Sequence, residues 1–328
     1  YAREEMQIEF RVEDTTRLDP LGGYAAVVRA SPEAVIDMPA MPRMPKFAEI
    51  AHAEDVPGDY GIHPTFAHGG EFRLKLSIRP PGGDPFESTF ALTVQDADPG
   101  RKPIPPRYWL KLTSEPKRPK AGEEVELRLV IPDRDQGDAP VMAFETVHEA
   151  QMHLIIVRKD LSHFAHEHPA LTGGEFRLRY RFPSGGEYRL FADVAPKGAG
   201  GQVVMARLKV AGPEDRPSAA PTPECSAEMT TPSELPARKD VSIEFRIRDA
   251  RGEAPKDLEP YLGAAGHLML IHDDAELFVH SHPLEDAPPA GELHFLARLP
   301  KAGNYRGWLQ FQRAGRVETV EIRVRARE

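Results

Sequence analysis

A pair of glycines twelve residues apart occurs three times along the sequence, and this repeat limits the folds open to the chain. Each glycine lies two residues before an aromatic residue or a leucine, and the pairs are Gly58 and Gly70, Gly174 and Gly186, and Gly291 and Gly303. In the second and third pairs the intervening residues alternate between apolar and charged, as on a half-buried β-strand. Three copies of about 100 residues would account for the whole chain, and that is the size of an immunoglobulin-like sandwich.

The fold class predicted from this pattern is all-β, with three tandem immunoglobulin-like or cupredoxin-like β-sandwich domains. Stretches with a helical period are almost absent, and the 33 prolines fall between the strands or gather in two boundary segments. The predicted domains are residues 1–97 (copy one), 105–211 (copy two) and 225–328 (copy three). Stiff proline-rich linkers are predicted at 98–104 and 212–224.

Charge and hydropathy exclude several kinds of partner. The formal net charge of −9 argues against a dedicated binder of nucleic acid or of anionic membranes. No apolar run reaches the roughly 18–20 residues of a membrane span, and a start at Tyr1 rather than methionine is compatible with removal of an N-terminal signal or anchor. The single cysteine, Cys225, rules out an internal disulfide and leaves both its own role and the redox compartment open.

Candidate chemistry lies in histidines that recur at the same offsets in copies two and three. His153, His166 and His168 of copy two are matched by a second set, His267, His280 and His282, in copy three. In both copies the last two histidines form a His-x-His-Pro motif. Because side chains alternate along a strand, both rings of such a motif point to one face of the sheet.

A tight turn would bring the first histidine of each set to the same place. If Lys159 and Asp160 form a two-residue turn, His153 lies directly opposite His166, with Cβ atoms about 4.5–5.5 Å apart. The turn Asp273-Asp274 would place His267 opposite His280 in the same way. The three imidazoles would then form a patch small enough for one ion, and imidazole nitrogen suits both zinc and copper.

The same face carries apolar residues, which leaves a second interpretation open. Ile155, Val157 and Phe164 share the face in copy two, and Met269, Ile271 and Phe278 share it in copy three. We therefore expect this face to point into the core of its own sandwich, with the histidines at one end. Histidines in such a position could equally be structural, with hydrogen bonds to backbone or carboxylate groups.

Three further residues are weaker metal candidates near the histidine sets. Glu145 and Glu259 occupy matching offsets, and His148 lies between Glu145 and His153. They could supply a further ligand or a hydrogen bond to a ligand. The other histidines are expected to be surface or hydrogen-bonded residues: His52, His63, His68, His163, His272 and His294.

Copy one has methionines where the other copies are expected to have the first histidine strand. Met38, Met41 and Met44 are spaced by three residues and alternate with prolines, so they cannot form a regular central strand. Thioethers are soft ligands that favour Cu(I). The alternative, which the sequence alone favours, is a methionine-rich loop that fills gaps over the end of the sandwich.

Copy one resembles the YtkA-like and FixH-like periplasmic domains. The resemblance rests on Met38 to Met44, Gly58-Asp-Tyr60 and Gly70-Glu-Phe72 leading into the final strand. It implies a small immunoglobulin-like or cupredoxin-like sandwich that is secreted or membrane-anchored and associated with copper or cytochrome-oxidase contexts. Copies two and three resemble the same group in their glycine-aromatic half, with His-x-His-Pro in place of the Met-Pro cluster.

The leading functional hypothesis is a non-enzymatic, periplasmic or secreted protein that binds a transition metal, copper first and zinc second. Its two three-histidine sites would sequester the ion or deliver it to a protein partner in a metal-handling or envelope system. A blue-copper electron carrier is disfavoured, because Cys225 is remote in sequence from both histidine sets.

Two other functions stay open at this point. One is a zinc-dependent hydrolase-like enzyme, in which three histidines leave an open position for an activated water and Glu145, Glu167 or Glu259 acts as general base. The other is a structural or adhesive string of immunoglobulin-like modules whose histidines bind nothing.

Overall fold

The computed structural model describes residues 6–20, 22–54, 56–96, 105–214, 223–283 and 288–328. The predicted linker 98–104 lies outside these residues, as do residues 215–222 of the linker 212–224. The chain forms two compact units: Tyr1–Arg107 with Ala195–Gln202, and Tyr108–Val194 with Val203–Glu328. None of the described segments is a helix with the length and apolarity needed to cross a bilayer.

The described residues of copy one form nine strands. They are β1 (Ile8–Arg11), β2 (Glu13–Leu18), β3 (Tyr24–Ala26), β4 (Glu33–Asp37), β5 (Phe47–Ile50), β6 (His52–Ala53), β7 (Asp59–Ile62), β8 (Gly70–Ile78) and β9 (Phe86–Val94). They form a four-stranded sheet in the order β5-β4-β8-β9, a three-stranded sheet β1-β7-β6 and the pair β2-β3. Ile36, Ile62, Leu74 and Leu76 are among the buried residues of its core.

Copy two contains ten strands and one 3-10 turn. They are β10 (Lys111–Glu115), β11 (Glu124–Val130), β12 (Pro132–Asp133), the 3-10 turn Arg134–Gln136, β13 (Ala139–Pro140), β14 (Met152–Arg158), β15 (Phe164–Glu167), β16 (Ala170–Thr172), β17 (Glu175–Arg181), β18 (Gly186–Val194) and β19 (Gln202–Val210). Two four-stranded sheets, β10-β11-β17-β16 and β15-β14-β18-β19, make up the sandwich. The second of these carries the histidines.

Copy three repeats this arrangement. Its strands are β20 (Ser226–Met229), β21 (Glu234–Pro236), β22 (Asp240–Arg248), β23 (Leu258–Glu259), β24 (His267–His272), β25 (Phe278–Ser281), β26 (Glu292–Arg298), β27 (Gly303–Arg313) and β28 (Arg316–Arg327). The sheet β20-β22-β26 faces a larger sheet in the order β21-β28-β27-β24-β25, in which β23 also pairs with β27. The histidines again belong to the larger sheet.

Alternation of side chains builds these sandwiches. In β22, Ile243, Phe245 and Ile247 are fully or almost fully buried while the residues between them are exposed. The second glycine of each repeated pair begins a long strand (β8, β18 or β27) with a left-handed φ of +143°, +127° or +141°. Glycine adopts that conformation readily, and a Cβ on Gly303 would also collide with the ring of His272. The all-β fold of tandem sandwiches is confirmed.

The prediction that the histidine face points into its own sandwich core is wrong. In β24 the residues that enter the core of copy three are Leu268 and Leu270. Met269 and Ile271 point the other way and pack with Ile155 and Val157 of copy two in a second apolar cluster. The histidine sheets of copies two and three therefore face each other within the second unit, so that both faces of β14 and β24 are buried.

The contact between copies two and three has an approximate twofold symmetry. The ring of Phe164 from copy two stacks on Trp308 from copy three at 4.4 Å between centroids. Phe278 of copy three lies against Phe191 of copy two at 5.4 Å. Phe164 and Phe278 occupy matching positions in their copies, so each copy offers the same patch to the other, as in an isologous interface.

Candidate metal centre

The hairpin that carries the first two histidines has a different register from the predicted one. Its strands pair Ile155 with His166, not His153 with His166, and copy three pairs Met269 with His280. The loop is longer than two residues because Arg158 N–H donates to the carbonyl of His163. Residues 159–162 therefore form the turn.

Local chemistry explains the longer loop. The Asp160 carboxylate accepts from the backbone N–H of Ser162 at 3.1 Å and from its hydroxyl at 2.6 Å, and Leu161 has a left-handed φ of +58°. The register error is two residues, and an even shift keeps every side chain on its predicted face. The three histidines of each copy therefore still converge, although the first lies diagonal to the second.

The triad of copy two (His153, His166 and His168) places three ring nitrogens together. Nδ1 of His153 and Nε2 of His168 each lie 3.1 Å from Nε2 of His166. One nitrogen from each ring lies within 4.8 Å of both others. Two ligands of a tetrahedral ion with bonds of 2.0–2.1 Å are themselves about 3.3 Å apart, so the spacing suits a shared ion.

The triad of copy three (His267, His280 and His282) has the same geometry. Nδ1 of His267 lies 3.3 Å from Nε2 of His280, and a nitrogen of His282 completes a set within 4.8 Å. Nε2 of His282 is buried and has no hydrogen-bond partner among the described residues. A buried polar atom without a partner is costly, and a bound cation would supply one.

A sharp turn fixes the first histidine of each triad. Nε2 of His153 donates to the carbonyl of Val147 at 3.0 Å, and Nε2 of His267 donates to that of Tyr261 at 2.9 Å. Val147 and Ala150 exchange two backbone hydrogen bonds around two left-handed residues. In copy three the segment Tyr-Leu-Gly263-Ala forms the same turn. Its glycine is the feature of the sequence that could have predicted a turn at this point.

The second histidine of each triad is held by the other copy. Nδ1 of His166 donates to Oε1 of Gln310 at 2.8 Å, and Nδ1 of His280 donates to Oδ2 of Asp193 at 2.8 Å. Asp193 is the register partner of His153, and Gln310 is that of His267. Sequence reasoning missed Asp193 and Gln310, because their role exists only when copies two and three pack together.

These outer hydrogen bonds determine which ring nitrogens lack a proton. A backbone carbonyl and a carboxylate can only accept, so the nitrogen that faces them carries the hydrogen. In a neutral imidazole the other nitrogen is then a bare lone pair. Nδ1 of His267 and Nε2 of His280 are such lone pairs, and they face each other at 3.3 Å. In copy two, the Val147 carbonyl and the Gln310 amide oxygen likewise place a hydrogen on Nε2 of His153 and on Nδ1 of His166.

Burial keeps five of the six rings neutral. Burial, reinforced by the neighbouring histidines, lowers the pKa of His166, His267, His280 and His282 well below 6.5. Burial and His153 lower the pKa of His168 to about 4. Neutral imidazole is the form that binds metal ions.

The two triads lie side by side. Ring centroids are 5.2 Å apart between His153 and His280, and 5.7 Å apart between His166 and His267. His148 of copy two stacks on His282 of copy three at 3.6 Å, so this weaker candidate joins the group from the opposite copy. We call the two triads together the paired centre. The sequence, in which the two sets of histidines are separate, did not indicate that they lie side by side.

The structure does not bring the candidate glutamates into the paired centre. Glu145 is exposed. The Glu259 carboxylate accepts from Gln312 at 2.8 Å and from the backbone N–H of Gly315 at 3.0 Å. Glu167 alternates with His166 and His168 along the chain and is opposite Leu154 in the hairpin. No glutamate belongs to either triad among the described residues.

The methionines of copy one lie in a loop and do not replace a histidine strand. Two successive turns follow β4, with Met41 N–H donating to Met38 and Met44 N–H donating to Met41. Met38 is buried, and the other two are half-buried. The first histidine of copies two and three lies near the start of its strand, whereas these methionines follow the end of theirs. Their role as ligands stays a prediction.

A different group in copy one has ligand geometry that the sequence did not indicate. Glu49, His52 and His63 place three candidate ligand atoms within 4.8 Å, and the two rings stack at 4.8 Å. His52 also pairs with Glu54 at 3.0 Å and has 43% of its side chain exposed. No motif spacing marks this group in the sequence.

Fold and site together define a protein of tandem β-sandwiches in which two sandwiches share a histidine cluster. The chain belongs to the family described as "Domain of unknown function (DUF8832)", whose profile matches residues 107–212 and 224–328. The two matches lie on copies two and three, which carry the triads. No curated protein matches the chain.

Several solved structures are similar to the chain at low identity. The adhesin FdeC of Escherichia coli is 13% identical over 100% of this chain and 93% of its own, with a TM-score of 0.24. A tetra-tandem repeat from the extending region of a large adhesion protein is 9% identical over 99% and 71%, with a TM-score of 0.24. Invasin, a bacterial integrin-binding protein, is 13% identical over 98% and 57%, with a TM-score of 0.20.

Proposed function

We propose that the chain is a non-enzymatic transition-metal-binding protein that holds two ions side by side, one in each triad of the paired centre. The observation that carries the proposal is the convergence of ring nitrogens without protons. In copy three, the Nδ1–H of His280 and the Nε2–H of His267 both point outward to acceptors. Their remaining lone pairs point at each other.

Such an arrangement is unfavourable unless something positive lies between the lone pairs. Two acceptors 3.1–3.3 Å apart repel each other when neither carries a hydrogen. Protonation would relieve the repulsion, but burial opposes a positive charge on these rings. A metal ion relieves it by accepting electron pairs from all three rings, and the outer hydrogen bonds already hold the rings in place.

The donor set favours copper first and zinc second. All six ligands are imidazoles, which suit zinc, copper, nickel and iron. At a given nitrogen site Cu²⁺ binds more tightly than Zn²⁺, so copper fills the site when both ions are available. Three protein ligands leave a further coordination position for a group on a partner, which fits sequestration or delivery.

Binding is favoured over hydrolysis by the position of the carboxylates. The hydrolase alternative assigns the general base to Glu145, Glu167 or Glu259. Glu145 is exposed, Glu259 is held by Gln312 and Gly315, and Glu167 alternates with His166 and His168 so that it lies on the other face of the hairpin. Periplasmic or secreted location is part of the proposal through the resemblance of copy one to YtkA-like domains, and fractionation of the producing cells would test it.

Metal stoichiometry of the purified chain tests the proposal. The metal-free full chain is loaded with Cu²⁺ or Zn²⁺, freed of excess ion by gel filtration, and measured by elemental analysis. We expect two ions per chain, one in His166→Ala or His280→Ala, and none in the double variant. His68→Ala and His294→Ala, which lie outside the paired centre, should keep two. Absence of retained metal, or retention by the double variant, would overturn the proposal.

A further inference from the structure

The two sites of the paired centre differ in one hydrogen-bond acceptor at equivalent positions. Asp193 and Gln310 both lie opposite the first histidine of their own copy. Each reaches across to the second histidine of the other copy, at the same distance of 2.8 Å. The two hydrogen bonds therefore have the same geometry on either side of the approximate twofold axis, but one acceptor is charged and the other is neutral.

The charge of the acceptor changes how strongly the hydrogen-bonded histidine donates electrons to an ion. A carboxylate forms a charge-assisted hydrogen bond with the outer N–H of His280, and this makes the inner nitrogen a stronger electron donor. The neutral amide of Gln310 increases the electron donation of His166 less. Its NH₂ group donates to the Thr319 hydroxyl at 3.0 Å. Asp193 also adds a negative charge beside the site in copy three, which attracts a cation.

A second asymmetry acts in the same direction. His148 stacks on His282 with ring planes 22° apart, which supports the orientation of that ligand. The residue at the matching offset in copy three is Leu262, so the triad of copy two has no histidine at the corresponding position. Both differences favour the triad of copy three.

We infer that the two sites are unequal and that the site of copy three, formed by His267, His280 and His282, fills first because Asp193 of copy two supports it. The inference rests on the proposed metal binding and adds an order to it. Changes in such hydrogen-bond partners alter metal affinity by about 10–100-fold, so the two dissociation constants should differ by a factor in that range. The second ion also enters against the charge of the first, which widens the separation.

A titration of the metal-free full chain with Zn²⁺ against a chromophoric chelator tests the order. We expect two steps in the wild type, with the tighter step lost in His280→Ala and kept in His166→Ala. Asp193→Asn should weaken the tighter step by about 10–100-fold. Gln310→Glu should strengthen the weaker step, and the double exchange Asp193→Gln with Gln310→Asp should reverse the order.

The outcomes separate this inference from the proposed function. If the wild type binds no Zn²⁺, the proposed function fails. If it binds two ions with equal affinity, or if Asp193→Asn leaves the tighter step unchanged, metal binding stands and the inferred order is wrong. Thermal unfolding of each metal-free variant serves as the control for folding, and the gain expected for Gln310→Glu cannot arise from a damaged fold.

Discussion

Nδ1 of His267 and Nε2 of His280 face each other at 3.3 Å in a buried site, and the outer nitrogens of both rings donate to oxygen atoms. The two inner nitrogens are therefore lone pairs directed at the same point. Without an ion they destabilise the fold, and with an ion they become ligands. Stability and metal content of this protein should consequently be linked.

Metal should stabilise the second unit. Binding to the native state alone adds RT ln(1 + [L]/Kd), which is about 2.7 kcal/mol when the free ion is at 100 times its dissociation constant. We expect the midpoint of thermal unfolding to rise with free Zn²⁺ concentration and to fall again on addition of a chelator. The variant with His166→Ala and His280→Ala should show no rise, and a rise of the same size there would contradict the linkage.

Trp308 should be important for joining copies two and three. It is 6% exposed and stacks on Phe164, so Trp308→Ala should cost about 3–5 kcal/mol of unfolding free energy. Trp308→Phe, which reproduces the Phe191 found at the matching position of copy two, should cost less. Denaturant unfolding followed by circular dichroism measures both, and equal losses would argue against a packing role for the ring.

Glu276 should stabilise the same contact through a buried arginine. Arg189 is 4% exposed, and its guanidinium donates to Oε1 of Glu276 at 2.9 and 3.1 Å. Glu276→Gln removes the charge from this acceptor and should cost about 1–3 kcal/mol. Glu187 also lies near Arg189, at 3.8 Å, but its side chain is 53% exposed. Glu187→Gln should cost less than about 1 kcal/mol, which makes it the matched control.

Acid should destabilise the metal-free protein through His163. Burial lowers the pKa of His163 to about 4, against 6.5 for an exposed histidine. Above pH 6.5 neither the native nor the unfolded state is protonated there, so its contribution is constant. As the pH falls from 6.5 to 4, only the unfolded state takes up the proton, and stability falls by about 1.4 kcal/mol per pH unit.

His163→Gln isolates this contribution from that of the triads. The slope of unfolding free energy against pH between 6.5 and 4 should become shallower by up to about 1.4 kcal/mol per pH unit. The absolute stability of the variant does not matter, because the slope is the readout. An unchanged slope would mean that His163 is protonated equally in the native and unfolded states.

Gly303 should be intolerant of a side chain although it lies outside the paired centre. Its φ is +141°, and an added Cβ would collide with His272. Gly315 also has a positive φ, of +71°, but open space around it. Gly315→Ala should cost about 1–2 kcal/mol of strain alone, and Gly303→Ala should cost more. Unfolding free energies of the two variants measure the difference, and equal losses would show that the collision is relieved without cost.

The sequence alone was sufficient to predict the β-sandwiches and to place the histidines of each copy on one face of a sheet. Alternation of apolar and charged residues fixed the strands, and the period of two placed His166 and His168 on one side. The hairpin register was not predictable from the assumption of a two-residue turn. Hydrogen bonds from Ser162 to Asp160 stabilise the longer loop, and such bonds leave only a weak signal in sequence.

The packing of copy two on copy three is indicated by one feature of the sequence. Residues 154–157 are Leu-Ile-Ile-Val, an unbroken apolar run, which is typical of a strand buried on both faces. One face serves the sandwich core, so the other needed a partner. Asp193 and Gln310 could not have been assigned without that partner, because each acts on a histidine of the opposite copy.

Anomalous diffraction from crystals of the Zn²⁺-loaded protein, collected above and below the zinc edge, would locate the ions of the paired centre. We expect two peaks, one about 2.0–2.1 Å from the inner nitrogens of His153, His166 and His168 and one at the same distance from those of His267, His280 and His282. Peaks only at other groups, such as Glu49, His52 and His63, would contradict this expectation. So would two triads without any anomalous density.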